Sequence, residues 1–474
     1  MPGSGVPLKT RCLGRATCVL VLVAGVLILV TIPRPALAHS LGGLSSLPAP
    51  LSYFLAGVAT VLIATSALLT VFWRQARWQD GPTLRPFRVP GWRGVVNLLR
   101  FLGLGALLLV VLAGLVGVPN SVRNPAPVLV WVAVAVAVPF ASALIGNIYH
   151  LANPWRTLAD FIGLNHPAPR FQPAAWGVWP ATIIFGGLVW FELVYPNPAH
   201  PRHLAIAAVA YTVLVLGTAE WLGQKASVDQ IDALATYNRL FSAISPIDLD
   251  PERGTAWRGW LRGLPDLPDS PGQTTVVVVM IGAVAFHGIS AGSRYETAFG
   301  GFGRSIAGRT LLLVLVVAAV GMVYWLACSY SARQSASGQI ASGQTASGQT
   351  PVWLASRFAH ALVPIAFAYV FSHYFTAVVF EGQLLVSTIS DPFGLGWNLF
   401  GTALRPVDFT VLSPAAVWWT QVASIVAGHV AGLVLIHDRS LRDFNGPGAV
   451  RGRYALLFLV VFLAAAALTI LAVA

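Results

Sequence analysis

The chain has 474 residues, 56% of them apolar and 10% charged, with a mean hydropathy of +0.72 and a formal net charge of +12. Soluble domains carry about 25% charged residues, so this balance excludes a water-soluble globular protein and predicts an all-α polytopic transmembrane bundle. The basic residues sit in short loops between apolar runs, which makes the lipid bilayer the expected partner and argues against nucleic acid.

Residues 1–38 read as a secretory signal peptide. Lys9, Arg11 and Arg15 precede the apolar stretch Thr17–Ile32, and Ala36-Leu37-Ala38 supplies small residues for a cleavage site. The stretch is also long enough to serve as an uncleaved first helix. Cleavage would make His39 terminal, with an amine and an imidazole nitrogen available to copper or zinc. The plainer alternative is a polar residue that follows the cut.

Ten apolar runs follow, near 51–73, 98–118, 128–149, 178–195, 204–222, 274–290, 310–328, 358–380, 414–436 and 454–474. Each approaches the length needed to cross about 30 Å of hydrocarbon as a helix. They divide into five spans within 39–222, two within 274–328 and three within 353–474. With the mature N-terminus outside, most Lys and Arg fall in cytoplasmic loops. Only Arg123, Arg202, Arg294, Arg304, Arg309 and Arg405 fall on the outer side. The positive-inside bias thus predicts that both mature termini are extracytoplasmic.

Three connections stand out. Residues 223–273 form the longest cytoplasmic one, where Ile231, Leu234, Asn238 and Phe241 recur at helical spacing and predict an amphipathic helix on the membrane surface. The cluster Arg253, Trp257, Arg258, Trp260 and Arg262 reads as an interfacial anchor. Residues 329–352 hold three copies of Ala-Ser-Gly-Gln and read as a flexible linker. The extracytoplasmic loop 382–412 is rich in Gly, Pro and aromatic residues, a composition tolerated at membrane depth only over a protein-lined cavity, and it is expected to cover the ends of the helices carrying His287 and His373.

Ionisable groups inside apolar runs are costly to insert and mark candidate sites. His373 and Glu381 are eight residues apart, close to two helical turns and ~12 Å of rise, so a continuous helix places them on one side. Toward the outer face the sequence also gathers His39, Glu192, His287, Glu296, Asp391 and Asp408. A divalent metal held by His39, His287, His373 and Glu381 would acidify bound water and polarise a phosphoryl oxygen. His373, Glu381 and Asp391 are the candidate catalytic groups. Packed histidines and snorkelling carboxylates are the competing explanation. His429 lies between Gly428 and Gly432, a spacing suited to close helix contact, and reads either as a packed histidine or as a proton relay. Cys12 and Cys18 fall in the leader and Cys328 stands alone, which excludes a disulfide framework. No nucleotide-binding loop is present.

Several phrases occur together: Asn153-Pro154-Trp155-Arg156-Thr157-Leu158, Glu192-Leu193-Val194-Tyr195-Pro196, His373-Tyr374, Gly382-Gln383, Asp391-Pro392-Phe393-Gly394 with Trp397, and Val426-Ala427-Gly428-His429-Val430. With them the chain resembles bacterial multi-pass membrane proteins of the fenitrothion hydrolase family over most of 39–474. The resemblance implies hydrolysis of an aryl phosphotriester, a lipophilic substrate that would approach from the bilayer. The chain departs from the family at His287, where an acidic residue is more usual, and in the Ala-Ser-Gly-Gln insert. The readings are therefore a metal-assisted phosphotriester hydrolase, a transporter or metal-handling permease lined by His150, Glu220, His360, His373 and His429, or a non-catalytic membrane subunit.

Overall fold

The computed structural model describes residues 50–78, 81–164, 174–341, 350–444 and 449–473. The signal peptide, His39 and residues 342–349 of the repeat lie outside the described residues. In order the elements are α1 (Leu51–Phe72), β1 (Arg85–Phe87), α2 (Trp92–Val116), α3 (Pro125–Ile145), α4 (Ile148–Ala152), α5 (Pro154–Phe161), α6 (Trp179–Leu193) and α7 (Pro201–Leu222). There follow α8 (Gln224–Gln230), α9 (Ala233–Ser242), β2 (Ile247–Asp250), β3 (Gly254–Trp257), α10 (Gln273–Ala291), α11 (Ser293–Arg304) and α12 (Ile306–Ala341). The chain closes with α13 (Pro351–Val379), α14 (Leu384–Ser390), α15 (Pro414–Asp443) and α16 (Ala449–Val473).

Among the described residues nine helices are long and apolar enough to cross a bilayer: α1, α2, α3, α7, α10, α12, α13, α15 and α16. The tenth expected run, 178–195, forms the shorter apolar helix α6. Its ends still join the two faces of the bundle. Val178 N donates to Pro271 O at 2.8 Å on one side, and Leu193 O accepts from Arg309 Nη2 at 2.7 Å on the other. The chain is an integral membrane protein.

Contacts between loops identify one basic face. Asp438, fully buried at the end of α15, accepts from Trp73 Nε1 at 2.9 Å, Arg77 N at 2.7 Å and Trp78 N at 3.2 Å. Arg357 on α13 reaches Asp443 at 3.3 Å and Asp269 at 3.4 Å. On this face the chain also builds a small antiparallel sheet in the order β1-β3-β2. Pro86 lies opposite Ala256, which is permissible because β1 is an edge strand. The sheet was not expected from an all-α pattern. Gly146, at φ +100°, ends α3 beneath it, and a Cβ there would come within 2.6 Å of Leu249 Cγ.

The helix expected on the membrane surface lies inside the bundle instead. On α9, Ala233, Leu240 and Phe241 are fully buried. Tyr237 packs on Phe185 of α6 at 5.3 Å, Phe241 on Phe367 of α13 at 5.2 Å, and Asn238 Oδ1 accepts from Ser142 Oγ of α3 at 3.1 Å. An apolar stripe on one side and paired Asn and Asp on the other suit a protein interior as well as they suit an interface. The region expected as a linker, 329–352, is helical as far as Ala341, through the first repeat copy.

Two spans carry irregular backbone. In α3 the segment Val128–Ala137 is π-helical, with Val138 N still bonding to Ala133 O. Pro139, which has no N–H to donate, lies where the wider register closes. In α13, Pro364 leaves the carbonyl four residues back without its helical donor. There α15 approaches closely: a Cβ on Gly428 would fall 2.4 Å from Ala368 Cβ and 2.6 Å from Pro364 O. Gly428→Ala is expected to cost about 1–3 kcal/mol through overpacking. Gly57→Ala on α1, with nothing within 4 Å, is expected to gain up to about 1 kcal/mol from helix propensity. Thermal unfolding of the two variants in detergent checks the opposite signs.

Candidate functional site

Away from the basic face, three helices bring four polar side chains into one hydrogen-bonded chain. His373 and Tyr374 are neighbours on α13, about 100° apart around the helix, so they flank one incoming side chain rather than stack. That side chain is His287 of α10. Its Nδ1 lies 3.0 Å from His373 Nε2 and 3.0 Å from Tyr374 Oη. Tyr374 Oη in turn donates to Glu192 Oε1 of α6 at 2.8 Å. The histidine rings are 4.5 Å apart at 60°.

The proton count in this chain is short by one. If Tyr374 donates to Glu192, its oxygen is free to accept from His287 Nδ1–H, and His373 Nε2 competes for the same proton. If Glu192 carries the proton instead, Tyr374 donates to His287, whose Nδ1 becomes an acceptor and can also take a hydrogen bond from His373 Nε2–H. From the first arrangement to the second, one proton passes from Tyr374 to Glu192 and another from His287 Nδ1 to Tyr374 with no side chain moving, and the balance requires His287 to take up a proton at Nε2 and His373 to carry its own on Nε2. That is what a relay requires.

The supports are local. Arg309, at the start of α12, donates through Nε and Nη2 to Leu193 O, the residue after Glu192, and its guanidinium lies 5.7 Å from the Phe286 ring, the residue before His287. Trp190 Nε1 donates to Thr310 Oγ1 at 2.9 Å. On α13, Ser372 O accepts from Gln421 Nε2 of α15 at 2.9 Å, and Tyr369 Oη donates to Leu463 O of α16. Beside His373 is a cavity of about 30 Å³ between Gly288, Tyr369, Ser372, Ile425 and Ile470, with room for a water molecule or two.

The structure brings together only part of the expected site. His287 and His373 meet. Glu381 does not share their face, because α13 ends at Val379 and Glu381 begins a 3-10 turn. It is exposed, and partial desolvation raises its carboxyl above the usual value. Asp391 caps its own loop, accepting from Leu395 N and Gly396 N at 2.9 Å each. Asp408 is held by Thr410, whose hydroxyl and amide hold its carboxyl below the usual range. The loop expected to lie over His287 rests mainly on α3 and on the turn after α2, with Val118 N bonded to Phe393 O at 3.2 Å. His39 lies outside the described residues. Among the described residues no group of three or more His, Cys, Asp or Glu is placed to hold a metal ion.

His429 is fully buried, with Nδ1 2.7 Å from Ile425 O of its own helix and its ring 5.9 Å from that of Tyr369. Tyr374, which the sequence offered only within the phrase His373-Tyr374, bridges His287 and Glu192. A tyrosine beside an intramembrane histidine, with one acidic residue in a separate apolar run, is the signal that could have found it.

A second buried polar centre lies toward the basic face. Asp232 accepts from Asn153 Nδ2 at 2.8 Å, Tyr211 Oη at 2.8 Å, Tyr149 Oη at 3.2 Å and the amides of Leu234 and Ala235 at 3.0 and 3.1 Å. It caps α9 while tying together α4, α5 and α7. Tyr237 of α9, five residues after Asp232, lies near Glu192 and packs on Phe185. Burial, and then the nearby Glu192 carboxylate, raise its phenol above the usual value. Compared with protein-family models, curated proteins and solved structures, the chain matches none.

Proposed function

We propose that the protein moves protons across the membrane, using the His373–His287–Tyr374–Glu192 chain as the outer half of the path and Tyr237 with the Asp232 cluster as the inner half. The observation that carries the reading is the unbroken hydrogen bonding from His373 to Glu192 over three helices, each link 2.8 to 3.0 Å. The adjoining cavity of about 30 Å³ is far below the ~300 Å³ at which pockets for drug-sized molecules begin. It suits water and protons, not a phosphotriester. By the positive-inside rule the basic face is cytoplasmic, which puts the relay in the outer half of the membrane.

The test is proton flux in sealed proteoliposomes holding a pH-sensitive dye, driven by a potassium diffusion potential. Wild-type vesicles are expected to acidify faster than protein-free ones, and His287→Ala vesicles to match the protein-free rate. Wild-type traces indistinguishable from empty vesicles would refute the proposal. Nitrophenol release from a phosphotriester, lost in His373→Ala, would establish in its place the hydrolase that the family resemblance implies.

A further inference from the structure

On the basic face, away from the relay, a cavity of about 240 Å³ opens between α2, α4, α5 and the β2–β3 turn. Its polar lining is Arg93, Asn97, Arg100, His150, Arg156 and Glu252. Arg93, Asn97 and Arg100 are spaced i, i+4, i+7 along α2, one stripe of that helix. Arg100 is paired with Asp160. Arg93 and Arg156 make no ion pair with any described residue. Arg156 Nη1 instead lies 2.8 Å from His150 Nε2, which makes that imidazole an acceptor and so neutral. The fourth wall is fixed in place: Trp92 Nε1 donates to Asp250 O at 3.1 Å, and Asp250 closes its own turn through the amides of Glu252 and Arg253. Two guanidinium groups without carboxylate partners thus face a preformed cavity at the end of a membrane-spanning helix.

Planar guanidinium groups match phosphate oxygens, and basic pockets at the headgroup level of a bundle suit anionic lipids. Beside the charged stripe, α2 exposes Leu98, Phe101 and Leu102. A headgroup in the cavity therefore has an apolar helix surface on which its acyl chain can lie.

We propose that this cavity is a binding site for a phosphate-bearing anion, filled by the headgroup of an anionic phospholipid. Arg93 and Arg156 contact the phosphate and Glu252 limits its affinity. The experiment is thermal unfolding of the purified full chain in neutral detergent, followed by tryptophan fluorescence. The titrants are dioleoyl phosphatidylglycerol, dioleoyl phosphatidylcholine and inorganic phosphate. Phosphatidylglycerol is expected to raise the unfolding temperature and phosphatidylcholine to leave it unchanged. Arg93 is exposed, so Arg93→Gln should fold normally, and its half-saturating concentration is expected to rise about fivefold, the effect of one basic residue near an anionic headgroup. Glu252→Gln is expected to lower it. If inorganic phosphate alone stabilises the protein, with the same dependence on Arg93, the site is confirmed with a soluble occupant. Equal responses to the two lipids, or titrations that neither substitution moves, would overturn the proposal.

Discussion

Tyr374→Phe is expected to reduce proton flux by about two orders of magnitude, the range associated with losing one well-placed proton-transfer group. Among the described residues the hydroxyl is the only link between His287 Nδ1 and Glu192 Oε1, at 3.0 and 2.8 Å. Removing it leaves the ring and its packing in place, including the 4.8 Å contact with His373, so any flux change comes from the missing proton. Stability should fall by only about 1–3 kcal/mol, because two buried groups lose one partner each. The measurement is the same dye-loaded vesicle assay, with unfolding temperature recorded on the same preparations. Flux within twofold of wild type in a folded Tyr374→Phe protein would show that protons do not pass through this side chain.

The spans were legible because lipid leaves the backbone no alternative to helix, so length and hydropathy nearly suffice. The residues that set the ends were harder to read. α13 begins at Pro351, seven residues before the apolar run, because Thr350 caps it by accepting from Trp353 N. Its other end decided the candidate site. Pairing His373 with Glu381 assumes that the helix continues for two turns, and it stops at Val379. The actual partner of His373 is His287, 86 residues away, and nothing local encodes such a contact. α9 was misplaced for a similar reason. Its apolar residues do repeat at helical spacing, but its polar residues, Asp232 and Asn238, are satisfied by Tyr149, Asn153, Tyr211 and Ser142 from other helices. An amphipathic pattern does not distinguish a helix facing water from one facing buried partners.

The largest effect on stability is expected at Asp232. Replacing it with Ala removes one acceptor group from five donors and strips α9 of its N-cap. Loss of the cap alone costs about 1 kcal/mol, and each buried donor left unpaired adds about 1–3 kcal/mol, in part non-additively. The sum should exceed the ~4–5 kcal/mol that marks exceptional single substitutions. Asp232→Asn keeps one oxygen for the cap but turns an amide toward Asn153 Nδ2, so an intermediate loss is expected. The two proteins should also differ in pH response. Burial raises the Asp232 carboxyl from its usual 3.8, and the donors of Tyr211, Ala235, Asn153 and Tyr149 oppose that rise without cancelling it. A carboxyl whose value is higher in the folded chain binds more protons folded than unfolded. Its stabilising contribution is therefore complete below about 3.8 and declines as pH rises through the folded value. The margin of wild type over Asp232→Asn should thus be widest in acid and narrow with rising pH. Detergent unfolding of both proteins across that range measures the margin directly. A margin that widens with pH would mean that the five donors outweigh burial and hold Asp232 ionised.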